Sequence, residues 1–227
     1  MDAFEELGRI RLSETSLDEV LLRVATLARE AIGGVDAASV TLVGARRSGS
    51  AACTGDLAKV LDEWQYENEG GPCLEAAATT TVVSVPDTTT EERWPAYLKR
   101  ATAAGARSIL SVGLPVQEVV TGALNLYSLE PAAFDAEAIA VAQEFAGFAA
   151  VALANAQSYD ETAALARQMR EAMAQRATIE QAKGIIMAEQ RCTPDEAFER
   201  LSKLSQHANR KLRDVAAALV ARASRPR

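Results

Sequence analysis

The sequence predicts an α+β protein, with a sheet-containing N-terminal domain followed by an all-helical C-terminal domain. Short β-rich runs alternate with amphipathic helices up to Ser128, a pattern typical of an antiparallel sheet covered by helices. Beyond Ser128 the periodicity is helical, and no glycine or proline occurs between Gly147 and Gly184. We therefore expect one long helix to join the sheet domain to the helical domain.

Each N-terminal element is predicted from its periodicity and from the turn residues that bound it. In chain order the pattern predicts a helix over 15–32, a strand over 37–43, a hairpin turn at 46–49, a short strand near 51–54, a helix over 57–66, a loop at 70–73, a short alanine-rich helix, a strand over 81–85, a helix over 94–103 with Gly105 as its C-cap, and paired strands over 108–116 and 119–128. Asp135 is expected to cap the long helix, which begins with Ala138.

The stretch 176–198 combines helical periodicity, basic side chains and a glycine within a helix. Apolar residues at the i, i+3, i+7 spacing predict a core-facing side: Ile179, Ala182 and Ile186. Beside that face runs a polar stripe that repeats every seven residues: Arg176, Lys183 and Gln190. From this stripe, long cationic side chains could reach an anionic partner, and an ordinary solvated helix face is the alternative.

Gly184 interrupts this helix at a cost of about 1 kcal/mol relative to alanine. The glycine therefore suggests that another helix or a ligand backbone comes too close for a Cβ atom. A further helix restarts at Thr193, which is expected to be its N-cap. Pro194 then occupies the first helical position, and Glu196 returns the capping-box bond.

The segments IEQAKGIIM and TPDEAFERLSKLSQHANRKLRDVAAALV resemble the ANTAR domain, a three-helix RNA-binding module of bacterial transcription antiterminators. The resemblance covers residues 165–222, after a connecting helix over 157–167. It implies that basic and small residues of this region contact RNA: Arg176, Lys183, Gly184, Arg191, Asn209, Arg210 and Lys211. For Asn209, a plain N-cap of a helix over 210–220 is an equal alternative.

Charge is divided unevenly along the chain. The net charge of −7 arises from 24 basic and 31 acidic residues. Residues 162–227 hold 13 basic and 7 acidic residues, a net of +6, and residues 1–161 hold 11 and 24, a net of −13. Such an asymmetry is typical of a regulatory domain joined to a nucleic-acid-binding domain, and two ordinary solvated surfaces are the alternative.

Within the sheet domain, the segments GGPCLEAA, WPAYLKRATAAGARSILSVGLPV and GALNLYSLEPAAF resemble the GAF domain over residues 14–156. GAF domains bind cyclic nucleotides, haem, tetrapyrroles or other small molecules, or serve only as dimer interfaces, so the resemblance leaves the effector unnamed. Four side chains are candidates for a sensor pocket: Cys73, Trp64, Trp94 and Tyr97. Their alternative is structural, because buried cysteines are commonly inert and aromatic residues commonly form core.

Cofactor and catalytic chemistry are limited by what the sequence lacks. The single histidine, His207, lies in the ANTAR-like region, so a histidine-ligated haem in the sensor is not expected. The sequence lacks a Ser/His/Asp set, an HExxH motif and a P-loop, so the chain is not expected to be an enzyme. Its three cysteines are widely spaced, so no metal site is expected. The cysteine usage, the lack of a secretory signal and the absence of a long apolar run favour a cytoplasmic protein without a membrane span.

The long helix carries a mixed apolar seam at the 3,4 spacing of a coiled coil. Its positions are Phe148, Val151, Asn155, Ser158, Thr162, Leu165, Met169, Ala172, Arg176 and Ile179. We expect a homodimer through this seam, since modules of both families pair through their helices; a helix that packs only on its own domains is the alternative. A weak seam suits a switch, because alternative packings then differ by only a few kcal/mol.

Together these features predict a signal-responsive, homodimeric RNA-binding regulator. The ANTAR resemblance implies that the protein binds tandem stem-loops in nascent leader RNA and prevents transcription termination. RNA polymerase is then affected only indirectly, through the nascent transcript. The alternatives are a DNA-binding transcription regulator and a small-molecule redox enzyme on the GAF fold that would use Cys73.

Overall fold

The computed structural model describes residues 3–44, 47–117 and 120–224. The chain divides into two compact units, Met1–Asp160 and Glu161–Arg227, called unit 1 and unit 2 below. Unit 1 contains one antiparallel sheet with helices, and the helices after it belong to unit 2 apart from the first part of the long helix. The predicted α+β fold class is therefore confirmed.

The elements follow the predicted order with one addition at the N-terminus. They are α1 (Ala3–Gly8), α2 (Leu17–Ala31), β1 (Ala37–Gly44), β2 (Arg47–Cys53), α3 (Asp56–Glu67), α4 (Pro72–Thr79), β3 (Val82–Val85), α5 (Pro95–Ala103), β4 (Ser108–Gln117), β5 (Val120–Ser128), α6 (Ala136–Gln190), α7 (Pro194–Ala208) and α8 (Leu212–Ala223). The strands lie in the order β2-β1-β5-β4-β3, and each neighbouring pair is antiparallel.

Three local predictions need correction. The predicted hairpin turn at 46–49 is wrong for its last three residues, because Arg47 to Gly49 already pair with β1; Arg46 lies outside the described residues. The predicted loop at 70–73 ends earlier, since Pro72 and Cys73 form the first turn of α4, where proline is tolerated. Helix α1 was not predicted; its Phe4 ring contacts the Phe145 ring at a centroid distance of 5.7 Å.

The sheet of unit 1 carries helices on both faces because side chains alternate along each strand. On β5, Leu124 and Leu126 join the core formed with α2 and α6. The residues between and after them point the other way, and Tyr127 packs with α3 and α5. The second face also meets α4, whose Cys73 packs near Ala123. The candidate sensor interior is therefore the space between the sheet and α3, α4 and α5.

Helix α6 is 55 residues long and contributes to both units. Asp135 accepts a hydrogen bond from the Ala138 N–H at 2.8 Å, as expected of the predicted cap. By length and composition alone α6 could cross a membrane, and one such helix is weak evidence; 33% of its apolar 18-residue window is buried. Core helices of soluble proteins have the same composition, and Phe145 and Leu153 of α6 are fully buried in unit 1.

Unit 2 is built from the last part of α6 together with α7 and α8. Its small core contains one or two buried residues from each helix: Ala182, Ile186, Ala197, Leu201 and Ala216. The predicted core-facing side of the 176–198 stretch is confirmed, with Ile179 packing against this cluster. Alanines dominate the core, so the three helices approach closely and their polar faces stay at the surface.

Candidate RNA-binding surface and sensor interior

The turn between α6 and α7 has the predicted capping geometry. The Thr193 side chain accepts the Glu196 N–H, and the Glu196 carboxylate accepts the Thr193 N–H at 2.8 Å. The Thr193 N–H and the Thr193 hydroxyl, which donates to the same carboxylate at 3.1 Å, lower the pKa of Glu196. Arg191, just before the cap, adopts a left-handed backbone conformation with φ of 48° and is exposed. The cap therefore fixes the start of α7 and presents Arg191 to solvent.

Lys183 is more enclosed than a residue of a solvated stripe. Its side chain is only 16% exposed, and its Nζ lies 2.9 Å and 3.0 Å from the two carboxylate oxygens of Glu180, one turn earlier. Gln190 of the same stripe accepts a hydrogen bond from Arg200 of α7. Arg176 remains exposed. Of the three positions in the predicted stripe, only Arg176 presents a freely exposed cation.

Gly184 lies on an exposed part of α6. A Cβ atom built on this residue would meet nothing within 4 Å among the described residues. Close approach by another helix of the chain is therefore the wrong explanation for this glycine. A ligand backbone that approaches α6 from outside remains the other part of the prediction, and the open surface leaves room for it.

The turn between α7 and α8 corrects the expectation for Asn209. This residue ends α7 as its C-cap, with φ of 49°, and its N–H donates to the Gln206 carbonyl. Asparagine tolerates this left-handed conformation better than most residues. The N-cap of α8 is Lys211, so the alternative of Asn209 as that cap is wrong. Arg210 and Lys211 are both exposed.

Apart from Arg176, Lys183 and Gly184 within α6, the predicted RNA-contact residues lie at the two ends of α7. Arg191 lies at the turn before this helix, and Arg210 with Lys211 lies at the turn after it. Because α7 has 15 residues with a rise of about 1.5 Å each, the two turns are about 22 Å apart. A single bound nucleotide cannot touch both groups, whereas a folded RNA hairpin can span them.

The four sensor-pocket candidates lie together in unit 1. The rings of Trp64 and Tyr97 have centroids 5.8 Å apart, and Trp94 packs against the same cluster. Cys73 is connected to them through Gln65, which accepts the Cys73 N–H at 2.9 Å and donates to the Tyr97 hydroxyl at 3.4 Å. The prediction therefore selected residues of one interior, although no contact with an effector follows from this proximity.

Gly71 explains how the Gly-Gly-Pro loop approaches this interior so closely. Its φ is 152°, and a Cβ atom there would lie 2.1 Å from the Gln65 side-chain oxygen. Any other residue would push Gln65 away from the Cys73 N–H. Glycine at this position is thus required by backbone conformation and by close packing.

A buried polar network surrounds Cys73, and the sequence-based prediction missed most of it. Asn125 of β5 contacts three side chains through its amide nitrogen, at distances of 3.1–3.2 Å: Ser39, Thr41 and Cys73. The Tyr127 hydroxyl donates to the fully buried carboxylate of Asp62. One signal was available, because Asp62 and Gln65 follow Ala58 at i+4 and i+7 and so share the core-facing side of α3. Polar residues on such a side require buried partners.

Burial raises the pKa of the Cys73 thiol to about 12, and the charge of Asp62 acts in the same direction. Hydrogen bonds from the surrounding side chains oppose this shift only in part. Burial likewise raises the pKa of Tyr127 well above its usual value. The thiol is therefore protonated at neutral pH, whereas nucleophilic cysteines act as thiolates.

We expect this buried thiol to make stability depend on pH above about 8.5, the usual pKa of a cysteine in an unfolded chain. The raised folded-state pKa means that the thiol's contribution is complete below that pH and is lost as pH rises toward 12. Between pH 8.5 and 10 the loss is about 1.4 kcal/mol per pH unit at most. Urea unfolding of wild type and Cys73→Ala across this range measures it. An equal pH slope in the two proteins would contradict the assignment.

His207 shows no sign of a ligand role. It is exposed near the end of α7, and its Nδ1 lies 2.8 Å from the Lys203 carbonyl oxygen. Among residues 3–44, 47–117 and 120–224, no group of three His, Cys, Asp or Glu side chains is placed to hold a metal ion.

The chain is an α+β protein of two compact units, a five-stranded antiparallel sheet with a buried polar interior followed by a small three-helix unit with a net positive charge. The chain belongs to the GAF domain family, whose model matches residues 14–154. The ANTAR domain model matches residues 167–220. These two matches confirm both resemblances noted in the sequence. GAF domains are signal-sensing domains, and ANTAR domains are RNA-binding antiterminators. No curated protein sequence matches the chain.

Solved structures support the fold of unit 1. The GAF domain region of a Geobacter sulfurreducens protein matches 60% of this chain and 92% of its own, with 19% identity and a TM-score of 0.50. Free methionine-R-sulfoxide reductase from Neisseria meningitidis covers 71% and 87%, with 21% identity and a TM-score of 0.50. A phycoerythrobilin-bound GAF domain from a cyanobacterial phytochrome covers 68% and 93%, with 15% identity and a TM-score of 0.51.

These similarities concern the fold alone, because the identities are low and the neighbours differ in function. One neighbour is an enzyme and another holds a bilin chromophore. A shared GAF fold therefore does not name an effector for this chain. The combination of a GAF domain with an ANTAR domain is the architecture of a regulator, and both are soluble domain types.

Proposed function

We propose that this protein is a cytoplasmic, signal-responsive regulator that prevents transcription termination by binding tandem stem-loops in nascent leader RNA. In this proposal residues 14–156 sense a signal through the interior around Cys73, Trp64, Trp94 and Tyr97. Residues 157–167 connect the sensor to an RNA-binding domain at 165–222. RNA polymerase is affected only indirectly, through the nascent transcript.

The ANTAR match over residues 167–220 is the observation that carries the proposal. The surface of unit 2 agrees with it, because Arg176, Arg191, Arg210 and Lys211 are all exposed. Cations attract the RNA backbone, while sequence is read where loop bases are unpaired. Gly184 offers an open surface for close approach of that backbone, and Lys183 and Asn209 of the same unit are proposed as further contacts.

A homodimer is proposed from the exposed apolar residues of α6. Four predicted seam positions are large and exposed: Phe148 at 51%, Val151 at 61%, Leu165 at 58% and Met169 at 59%. Soluble proteins rarely leave such a row of apolar side chains uncovered, and a second copy of the helix covers it at the 3,4 spacing. Two copies then supply two RNA sites for two stem-loops.

Competition binding tests the proposed RNA partner. Full-length protein bound to a labelled tandem hairpin RNA is challenged with unlabelled hairpin RNA or with duplex DNA of equal length. We expect hairpin RNA to compete at least about tenfold better, because unpaired loop bases provide contacts that a duplex hides. Equal or better competition by duplex DNA would instead support a DNA-binding regulator.

A redox enzyme on the GAF fold is the second candidate, suggested by the reductase among the structural neighbours. The protonated, fully buried thiol of Cys73 supports regulation over thiol catalysis. Turnover of free methionine sulfoxide that is lost in Cys73→Ala would favour the enzyme. Absence of turnover together with RNA retention would favour the regulator.

A further inference from the structure

Two segments of unit 2 are more basic than the segment that lies between them in the sequence. The segments 167–176 and 209–214 together carry six basic and two acidic residues, a net of +4. The segment 180–203, which holds the α6–α7 turn, carries four basic and five acidic residues, a net of −1. The RNA backbone is therefore attracted more strongly to the first of these regions than to the second. We call the first region the basic end.

A contact between α6 and α8 brings the two basic segments together. The Arg213 guanidinium of α8 lies 4.0 Å from the Glu171 carboxylate of α6. Leu212, the first residue of α8, packs on the same core as Ile179 of α6. Because Arg210 and Lys211 directly precede α8, they lie beside the α6 turn that holds Glu171. Residues far apart in the sequence thus form one cationic surface.

Two arginines on that α6 turn were not among the predicted RNA contacts. Arg167 lies four residues before Glu171 and three before Arg170, so these side chains are surface neighbours on the helix. Both arginines are exposed. Arg167 is also two residues from both Leu165 and Met169, which places it on the opposite side of α6 from the proposed dimer seam. Pairing of two copies through that seam leaves it open to solvent.

We infer that the basic end is a phosphate-binding surface for the backbone of an RNA stem, formed by Arg167, Arg170, Arg210 and Lys211. The inference rests on the proposed RNA-binding function and adds two residues to it. Guanidinium groups hold phosphate oxygens through paired hydrogen bonds. Phe198, the only Phe, Tyr or Trp of unit 2, lies in the first half of α7 toward its other end, so none of these three ring types contributes to this surface.

Neutralising the two added arginines tests this surface. Full-length protein with Arg167→Gln and Arg170→Gln is titrated with a tandem hairpin RNA whose loops the wild-type protein has selected from a randomised pool. The slope of log affinity against log salt is expected to fall in magnitude by about 2, one for each lost phosphate contact. Preference for selected over scrambled loops is expected to stay unchanged, because phosphate contacts carry no sequence information.

The matched control is Lys203→Gln with Arg222→Gln, which removes the same number of charges outside the basic end. It should keep the wild-type salt slope. An unchanged slope in the Arg167→Gln, Arg170→Gln protein, or an equal loss in the control, would overturn the phosphate surface while leaving RNA binding intact. Failure of the wild-type protein to bind any hairpin from the pool would overturn the proposed function as well, so the two failures are distinguishable.

Discussion

Insertion of two glycines after Asp160 is expected to weaken binding of the full-length protein to tandem stem-loops by about a hundredfold or more. Asp160 lies inside α6, where each glycine costs about 1 kcal/mol relative to alanine. The insertion also moves Phe148 and Val151 out of register with Leu165 and Met169. The dimer then no longer holds its two RNA sites at a fixed spacing. Binding of the second stem-loop loses the gain from effective concentration, which is worth about 10²–10⁴ in affinity. Fluorescence titration with tandem hairpins measures the loss.

Insertion of seven helix-forming residues at the same place is the matched control. A full heptad keeps the helix continuous and returns the seam to the same side, so tandem binding should persist. Binding of a single hairpin should be similar in all three proteins, since no RNA contact is altered. If the two-glycine protein bound tandem hairpins as tightly as wild type, α6 would be only a tether and this account of control would fail.

Replacement of Leu201 by alanine is expected to abolish RNA binding by unfolding unit 2. Leu201 is fully buried and is one of five buried residues in a small core. Large-to-small changes at such sites cost about 2–5 kcal/mol. A unit of this size has only a few kcal/mol of stability from its core, so one substitution removes most of it. Hydrogen exchange of the α7 and α8 amides, measured beside hairpin binding, detects the loss.

Leu204→Ala is the control on the same helix. Leu204 is 53% exposed, so the same chemical change there should alter stability by no more than about 0.5 kcal/mol. The amides of unit 1 should keep their protection in both proteins, because Leu201 is not part of that unit's core. Retained hairpin affinity in Leu201→Ala would show that RNA binding does not require the packed three-helix unit.

Local patterns in the sequence were enough to predict the elements and the types of domain. The capping box of Thr193 and Glu196 and the Asp135 cap were readable because each joins residues three positions apart. The core-facing side of the last part of α6 was readable from the positions of Ala182 and Ile186. The helix ends and turn residues were less accurate, as Asn209 shows, because one residue type suits both ends of a helix.

The solvent exposure of each predicted site residue depended on tertiary packing. Periodicity placed Lys183 beside the core. It did not predict the ion pair with Glu180 or that only 16% of the Lys183 side chain is exposed. Gly184 suggested close approach by another helix or by a ligand backbone, and the fold placed no other helix of the described residues there. Such differences arise because exposure is set by all the helices around a residue, whereas periodicity describes one helix at a time.

The sequence by itself thus determined a GAF domain, an ANTAR domain, their order and the unequal division of charge between them. Only the tertiary structure decided that the Tyr127 hydroxyl donates a hydrogen bond to the Asp62 carboxylate, 65 residues earlier. It also decided that Arg213 lies beside Glu171, a contact that joins two basic segments. Residue pairs so far apart produce no periodic pattern in the sequence, because their contact depends on how strands align and helices pack. The protonated state of Cys73 was decided in the same way, since its pKa is raised by the burial that this packing creates.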